Sequence, residues 1–205
     1  VLSWDQQVNM PAGGAEARSD QLSTLTRLAH ERFISPEVGE LLDCLADLPD
    51  QKPLSDDGCL IKVITRRYQQ QTRIPADWVA AFASTTSLAQ QAWAKAKAEN
   101  KYPLFQPHLE AVLLLIREYA GFFAPYKHPY DPLLDNFEPS LTTAEVKAVF
   151  DVLRPQQTAL LQAIASKPAP PDNFLYQPFE DSKQWDFSVR VLTDIGYRWS
   201  SGCMH

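Results

Sequence analysis

The sequence predicts an all-α fold, and three observations lead to that prediction. Apolar residues recur three or four positions apart along most of the chain, as in the run with Leu22, Leu25 and Phe33. No segment shows the alternation of apolar and polar residues that is typical of a half-buried strand. Proline and glycine residues mark the ends of the periodic segments. We therefore expect about seven or eight helices and no sheet.

The first stretch, from Trp4 to Arg18, predicts the end of one helix, a tight turn and the start of another. Met10-Pro11 and Gly13-Gly14 supply the turn, because glycine tolerates unusual backbone angles. A helix should then run from about 15 to 34, with its leucines on one face.

Capping residues place the next helices. Ser35-Pro36 reads as an N-cap followed by a first-turn proline, and Ser55 caps a helix that continues to about Thr72. Leu48 to Pro53 predicts the loop between them, and Pro75 opens a long helix that ends near Glu99.

A further helix starts near Pro107. Its apolar stripe includes Leu109 and Leu113, and Leu114 and Leu115 widen it. A wide apolar stripe predicts deep burial, so we expect this to be the most buried helix of the chain.

The last third alternates proline-rich linkers with helices. Residues 125–139 predict a linker with two short helical turns at most, and Thr142 with Glu145 forms a capping box at the next helix. Pro155 should kink or split that helix. Residues 167–171 form a second linker, and the final helix, from about 181 to 195, ends at Gly196.

The composition excludes several classes of function. The net charge is −6, from 19 basic and 25 acidic residues, and no dense basic run exists, which argues against a nucleic-acid partner. The longest apolar run, 111–116, is too short to cross a membrane, and no signal-peptide pattern is present. Cys44, Cys59 and Cys203 are widely spaced, which suits a reducing cytoplasm. We expect a single helical region over 1–205, with both ends of the sequence resembling cuts in a longer protein.

Histidines are the first candidates for chemistry. His30-Glu31 begins like an HExxH zinc motif, but Ile34 stands where the second histidine belongs. His30 is therefore interpreted as a partly exposed structural residue. We expect His108 to be neutral and exposed and His128 to lie in a loop, and no role can be assigned to His205.

Other side chains also favour structural interpretations. Cys44 and Cys59 have no neighbouring base and should pack as small apolar groups. Arg66-Arg67-Tyr68 could bind an anion, but a solvated helix face is the simpler interpretation. Most of the five tryptophans should be core or helix-contact residues: Trp4, Trp78, Trp93, Trp185 and Trp199. No residue of this chain is assigned a catalytic, cofactor-binding or metal-ligating role.

Several motifs, in order along the chain, resemble the carboxypeptidase Taq family of zinc metallocarboxypeptidases. The motifs that carry the resemblance are Ser3-Trp4-Asp5-Gln6, Met10-Pro11, Gly13 to Arg18, Gln21-Leu22, Leu28 to Glu31, Arg66-Arg67-Tyr68, Ile74-Pro75, Ser87 to Trp93, Phe105 to Glu110, Tyr130 to Asp135, Phe137 to Val146 and Asp194 to Tyr197. The resemblance implies a helical, cytoplasmic, homodimeric peptidase that removes C-terminal residues from peptides. It also implies a zinc ion held by an HExxH helix and a later glutamate, with the motif's glutamate as general base.

None of those catalytic motifs is in this sequence. The resemblance therefore implies an amino-terminal portion that walls or covers the substrate groove, without zinc of its own and inactive when alone. Its partners would be the missing catalytic half, the peptide substrate and a second copy. A free-standing, non-catalytic helical interaction module is the alternative, and a cryptic enzyme that uses His30 or His108 is a third hypothesis. An amino-terminal portion should expose an apolar surface where the catalytic half would dock. A free-standing module should have a polar surface at the same place.

Overall fold

The computed structural model describes residues 1–46 and 55–202. Within these ranges the regular elements are α-helices and short 3₁₀ turns, without a strand, so the predicted all-α class is confirmed. The helices are α1 (Leu2–Val8), α2 (Ala15–Phe33), α3 (Pro36–Ala46), α4 (Asp56–Gln71), α5 (Ala76–Ala98), α6 (Gln106–Gly121), α7 (Asp131–Leu134), α8 (Thr143–Ala165) and α9 (Asp181–Asp194). Short α1 and α7 account for the excess over the expected number.

The chain divides into two compact units, Val1–Lys147 and Ala148–His205. In the first, α2 packs along α5 with the most extensive contact, α6 packs on α5, and α3 packs on α4. Every buried apolar residue of the described chain belongs to this unit: Leu42, Ile74, Ala89, Ala96, Tyr119 and Ala120.

The second unit consists of most of α8, a 3₁₀ turn at Asn173–Tyr176, and α9. None of its described residues, 148–202, is buried.

Helix ends lie where the local sequence places them. The amide of Gly58 donates to the hydroxyl of Ser55 at 3.2 Å, which caps α4 as predicted. At α8 the amide of Thr142 donates to the carboxylate of Glu145 at 2.8 Å, and the amide of Glu145 donates to the Thr142 hydroxyl at 3.3 Å. Both bonds of the predicted capping box are therefore formed.

The end of α9 confirms the predicted glycine stop. Gly196 has a φ of +87°, which is favourable only for glycine. Its amide donates to the carbonyl of Thr193 at 3.0 Å, and the amide of Tyr197 donates to the carbonyl of Leu192 at 2.9 Å. This pair of bonds is a Schellman motif.

Two expectations about the helices need correction or qualification. Pro155 lies inside one continuous α8, so the helix is not split there. The expected deep burial of α6 is wrong, because Leu113 and Leu114 are 44% and 60% exposed. The central position belongs to α5, which contacts both α2 and α6. A wide apolar stripe shows only how much surface a helix is able to bury. Part of the α6 stripe is not covered by any element of the described chain.

The loop predicted over Leu48 to Pro53 lies outside the described residues. The predicted linkers at 125–139 and 167–171 do lack long helices, and the first contains α7. Across 1–46 and 55–202, no helix combines the length and the hydrophobicity needed to cross a membrane.

Candidate functional site

The corner between α1 and α2 is held by one arginine. The guanidinium of Arg18 forms an ion pair with the carboxylate of Asp5 and donates to the carbonyl of Leu2 at 2.6 Å. Only 12% of the Arg18 side chain is exposed. Its hydrogen bond is the main reason that the pKa of Asp5 lies below the ordinary value. The motif from Trp4 to Arg18 therefore builds a structural corner.

Polar contacts also join this corner to α5. The hydroxyls of Ser19 and Ser84 are 2.7 Å apart, and Ser19 is 2% exposed. The side-chain amide nitrogen of Gln6 donates to the hydroxyl of Ser87 at 3.0 Å, and both residues are buried. Small side chains let α2 and α5 approach closely, and the hydrogen bonds satisfy the buried polar atoms.

His30 is buried, which corrects the expectation of partial exposure. Nε2 of its ring lies 2.9 Å from the carbonyl oxygen of Ile74, and Nδ1 lies 3.1 Å from Oε1 of Gln71. A carbonyl only accepts, so Nε2 carries a proton. His30 thus ties the end of α2 to the segment after α4, and neither ring nitrogen is available for a metal.

Residues 125–142, which we call the strap, are anchored to α4 by Asp135. One oxygen of its carboxylate accepts from Arg66 at 2.5 Å and from the amide of Ser140 at 2.7 Å, and the other accepts from Gln70 at 2.6 Å. Burial acts to raise the pKa of Asp135, but these three donors and the charge of Arg66 outweigh it and leave the pKa lowered.

A second carboxylate binds both within the strap and at the first residue of α8. Asp131 accepts from the hydroxyl and the amide of Thr143, at 2.6 and 2.8 Å, and from the amide of His128 at 3.0 Å. The Thr143 hydroxyl is the main cause of the lowered pKa of Asp131. The strap therefore has a defined conformation, although it holds only one short helix.

The basic pair on α4 is less solvated than expected. Arg66 binds the strap, and the hydroxyl of Tyr68 donates to the carbonyl of Ser35 at 3.3 Å. Arg67 is exposed, as the helix-face interpretation requires.

The remaining histidines and cysteines do not assemble into a site. His108 is half-buried rather than exposed, and His128 lies in the strap as expected. Cys44 and Cys59 are exposed, which corrects the expectation that they pack as apolar groups. Cys203 and His205 lie outside the described residues.

Trp78 belongs to an aromatic cluster where two helices pack together. The indole of Trp78 stacks on Phe82 with ring centroids 4.9 Å apart and donates to the carbonyl of Leu115 at 3.0 Å, where α5 meets α6. We expected most tryptophans to be core or helix-contact residues, and a core position is wrong for the other four, which are substantially exposed: Trp4, Trp93, Trp185 and Trp199.

A zinc site requires several ligating side chains held close together. Within 1–46 and 55–202, no group of three His, Cys, Asp or Glu residues lies close enough to hold a metal ion. By themselves, the described residues therefore do not fit a zinc ion.

Comparison with known proteins identifies the family. The family model described as "Carboxypeptidase Taq (M32) metallopeptidase" matches residues 1–205. The chain belongs to the carboxypeptidase Taq family. Membership over the whole length confirms the resemblance carried by the motifs from Ser3 to Tyr197.

Relatives of the family cover this chain but are much longer. Thermostable carboxypeptidase 1 of Thermus thermophilus is 31% identical over 98% of this chain and 42% of its own length. The crystal structure of BsuCP is 27% identical with a TM-score of 0.87, and covers 97% of this chain and 40% of that one. The M32 carboxypeptidase of Deinococcus radiodurans is 32% identical with a TM-score of 0.74, over 97% of this chain and 39% of that one. The chain thus spans about two-fifths of the length of its relatives.

The anchoring residues were not found from the sequence. Asp5, Arg18 and Asp135 stand within the motifs that carry the carboxypeptidase Taq resemblance, but their contacts join positions far apart in the chain. Spacing along one helix gives no signal for such pairs. The motifs were the one available indication, because Asp5, Arg18 and Asp135 lie within them and each binds a residue of another element.

Proposed function

We propose that this chain is the amino-terminal portion of a zinc-dependent metallocarboxypeptidase that removes C-terminal residues from peptides. Its role there is to form one wall or lid of the peptide groove. It contributes no zinc ligand and is inactive alone. Membership of the carboxypeptidase Taq family and a span of about two-fifths of the relatives' length support this proposal.

The observation that carries the proposal is the exposed apolar surface of residues 148–202. Large apolar side chains along both helices and the turn between them are at least about two-fifths exposed, although burial of such surface is the main stabilising contribution in a folded protein. They include Val149, Phe150, Leu160, Leu161, Ile164, Phe174, Trp185, Phe187 and Ile195. A catalytic portion of the kind that the relatives contain would cover this surface.

The alternative of a free-standing interaction module is less well supported. A module that functions alone would present polar residues on this surface, because contiguous exposed apolar patches are rare on monomeric proteins. The hypothesis of a cryptic enzyme finds no support in His30, whose two ring nitrogens are both engaged.

Further properties of the intact protein follow the same proposal. We expect a peptide substrate, a cytoplasmic location and assembly into a homo-oligomer. Membership of a peptidase family is compatible with each of these properties, and each needs its own measurement.

The test begins with the reading frame downstream of His205. The proposal expects an in-frame HExxH helix, and a longer protein that releases C-terminal residues from peptides in a zinc-dependent manner. Residues 1–205 alone, as the matched control, should show no release above background. A reading frame that ends at His205 would contradict the proposal and favour the module. Peptide hydrolysis by residues 1–205 alone would contradict the claim that the chain is inactive.

A further inference from the structure

A shallow pocket of about 300 Å³ lies between the carboxyl-terminal half of α6 and the strap. We call it the strap pocket. Its floor is apolar and its rim carries hydrogen-bonding groups, which is the usual composition of a small-molecule site. The floor includes Ile116 and Ala120, and the rim includes Arg117, Tyr126, His128 and Tyr130.

The charge of the strap pocket is positive. Arg117 lines it, and no acidic residue does. Within the described part of the chain, the guanidinium of Arg117 has no ion-pair partner. The nearby carboxylate of Asp131 is engaged by Thr143 and by the amide of His128. A cation without a counter-ion at the edge of an apolar floor is suited to an anionic ligand.

The imidazole of His128 is oriented as a donor. The backbone amide of Tyr130 donates to Nδ1 of His128 at 3.1 Å. A backbone N–H can only donate, so Nδ1 accepts and the neutral ring carries its proton on Nε2. Tyr126 and Tyr130 are exposed residues, and their hydroxyls add two more donors. The rim therefore offers several donors to an oxygen-rich group.

We propose that the strap pocket binds an organic carboxylate that bears an apolar or aromatic group. The guanidinium of Arg117 pairs with the carboxylate, as planar guanidinium and carboxylate groups match in geometry. The Nε2–H of His128 and the tyrosine hydroxyls complete its hydrogen bonds, and the apolar group lies on Ile116 and Ala120. A free aromatic acid and the C-terminal residue of a peptide can both supply a carboxylate beside an apolar group. This inference does not depend on the proposed peptidase function.

Isothermal titration calorimetry on residues 1–205 tests the proposal. The probe is 3-phenylpropionate, which should bind at one saturable site. Its amide should bind about tenfold more weakly, because a charge-assisted hydrogen bond becomes a neutral one. A peptide with a C-terminal phenylalanine, compared with its amide, tests the second source of the same chemistry. Inorganic phosphate should bind more weakly than the probe, since it cannot use the apolar floor.

Matched arginine variants assign the site. Arg117→Gln should weaken the binding of 3-phenylpropionate about tenfold, whereas Arg67→Gln, an equal loss of charge on an exposed face of α4, should leave it unchanged. Circular dichroism checks that both variants remain folded. Equal affinity for the acid and the amide, phosphate binding as tight as the probe, or equal effects of the two arginine variants would each overturn the proposal.

Discussion

The two units differ in the burial of their apolar side chains. The first unit is Val1–Lys147 and the second is Ala148–His205. The first unit buries residues on α3, α5 and α6 and supports them with polar contacts, such as Ser19 with Ser84 and Arg18 with Asp5. The second unit buries none of its described residues, although its helices are just as apolar in sequence. Helical periodicity is thus present in both units, but among the described residues only the first unit buries apolar side chains.

The largest expected difference is in the free energy of unfolding, when the same substitution is made in each unit. Leu42→Asn should lower the free energy of unfolding by about 4 kcal/mol, since it removes buried apolar volume and buries an amide. Leu161→Asn should change it by less than about 0.5 kcal/mol, because that side chain lies on the surface. Leu42 is 7% exposed and Leu161 is 65% exposed. Urea denaturation followed by circular dichroism measures both, and equal losses would remove the distinction between the units.

A second contrast concerns the close approach of α2 and α5. Ser19→Leu should cost about 3 kcal/mol, because the leucine overpacks the contact and leaves the Ser84 hydroxyl without its partner. Ser188→Leu on α9, where the serine is exposed, is the matched control and should cost about 0.5 kcal/mol or less. Thermal unfolding of the two variants gives the comparison. A tolerated leucine at position 19 would mean that the two helices do not pack as described.

A smaller effect is expected at His30. His30→Leu should cost about 2 kcal/mol, since the carbonyl of Ile74 then remains buried without a donor. His108→Leu, in the first turn of α6, is expected to cost about 0.5 kcal/mol or less. The measurement is again urea denaturation, and the hydrogen-bonding account of His30 fails when the two losses are the same.

The smallest expected effect is a pH dependence confined to the first unit. Asp5, Asp131, Asp135 and Glu145 all have a lowered pKa. A carboxyl group with a lowered folded pKa binds fewer protons when folded than when unfolded. Its stabilisation is therefore present above the ordinary carboxyl pKa and is lost as the pH falls through the folded value. Asp135→Asn should make the acid-side decline in stability shallower.

A matched control is available for this pH prediction. Asp186→Asn on exposed α9 should leave the pH profile of the unfolding free energy as it is. Thermal melts between neutral and acidic pH would provide the profiles. The electrostatic account is contradicted by an Asp135→Asn profile that declines as steeply as that of the unsubstituted chain.

Local signals explain which structural features could be predicted from the sequence. The caps at Ser55 and Thr142 and the stop at Gly196 depend on residues within one helical turn, so their positions were predicted and confirmed. The burial of His30 depends on α4, and the exposure of Leu114 depends on an element that the described chain does not provide. Pairing and burial between distant segments leave no periodic signal, which is why these two expectations were wrong.

The strap illustrates the same limit for the candidate sites. Four prolines between 125 and 139 indicate a linker, and the structure does place a segment without long helices there. The sequence gives no indication that Asp131 and Asp135 hold this segment, or that Arg117 and His128 line one pocket. Those relations arise from packing of the strap on α4 and α6, which lie earlier in the chain.

Hydrogen–deuterium exchange tests most directly the claim that the second unit is completed by a missing portion. Amide exchange should be compared between residues 1–205 alone and the longer protein that the proposal expects. The account predicts that amides in α9 and the second half of α8 become strongly protected in the longer protein, whereas those at the α2–α5 contact are protected in both. Slow exchange of α9 in the short chain, or equally fast exchange in both proteins, would contradict it.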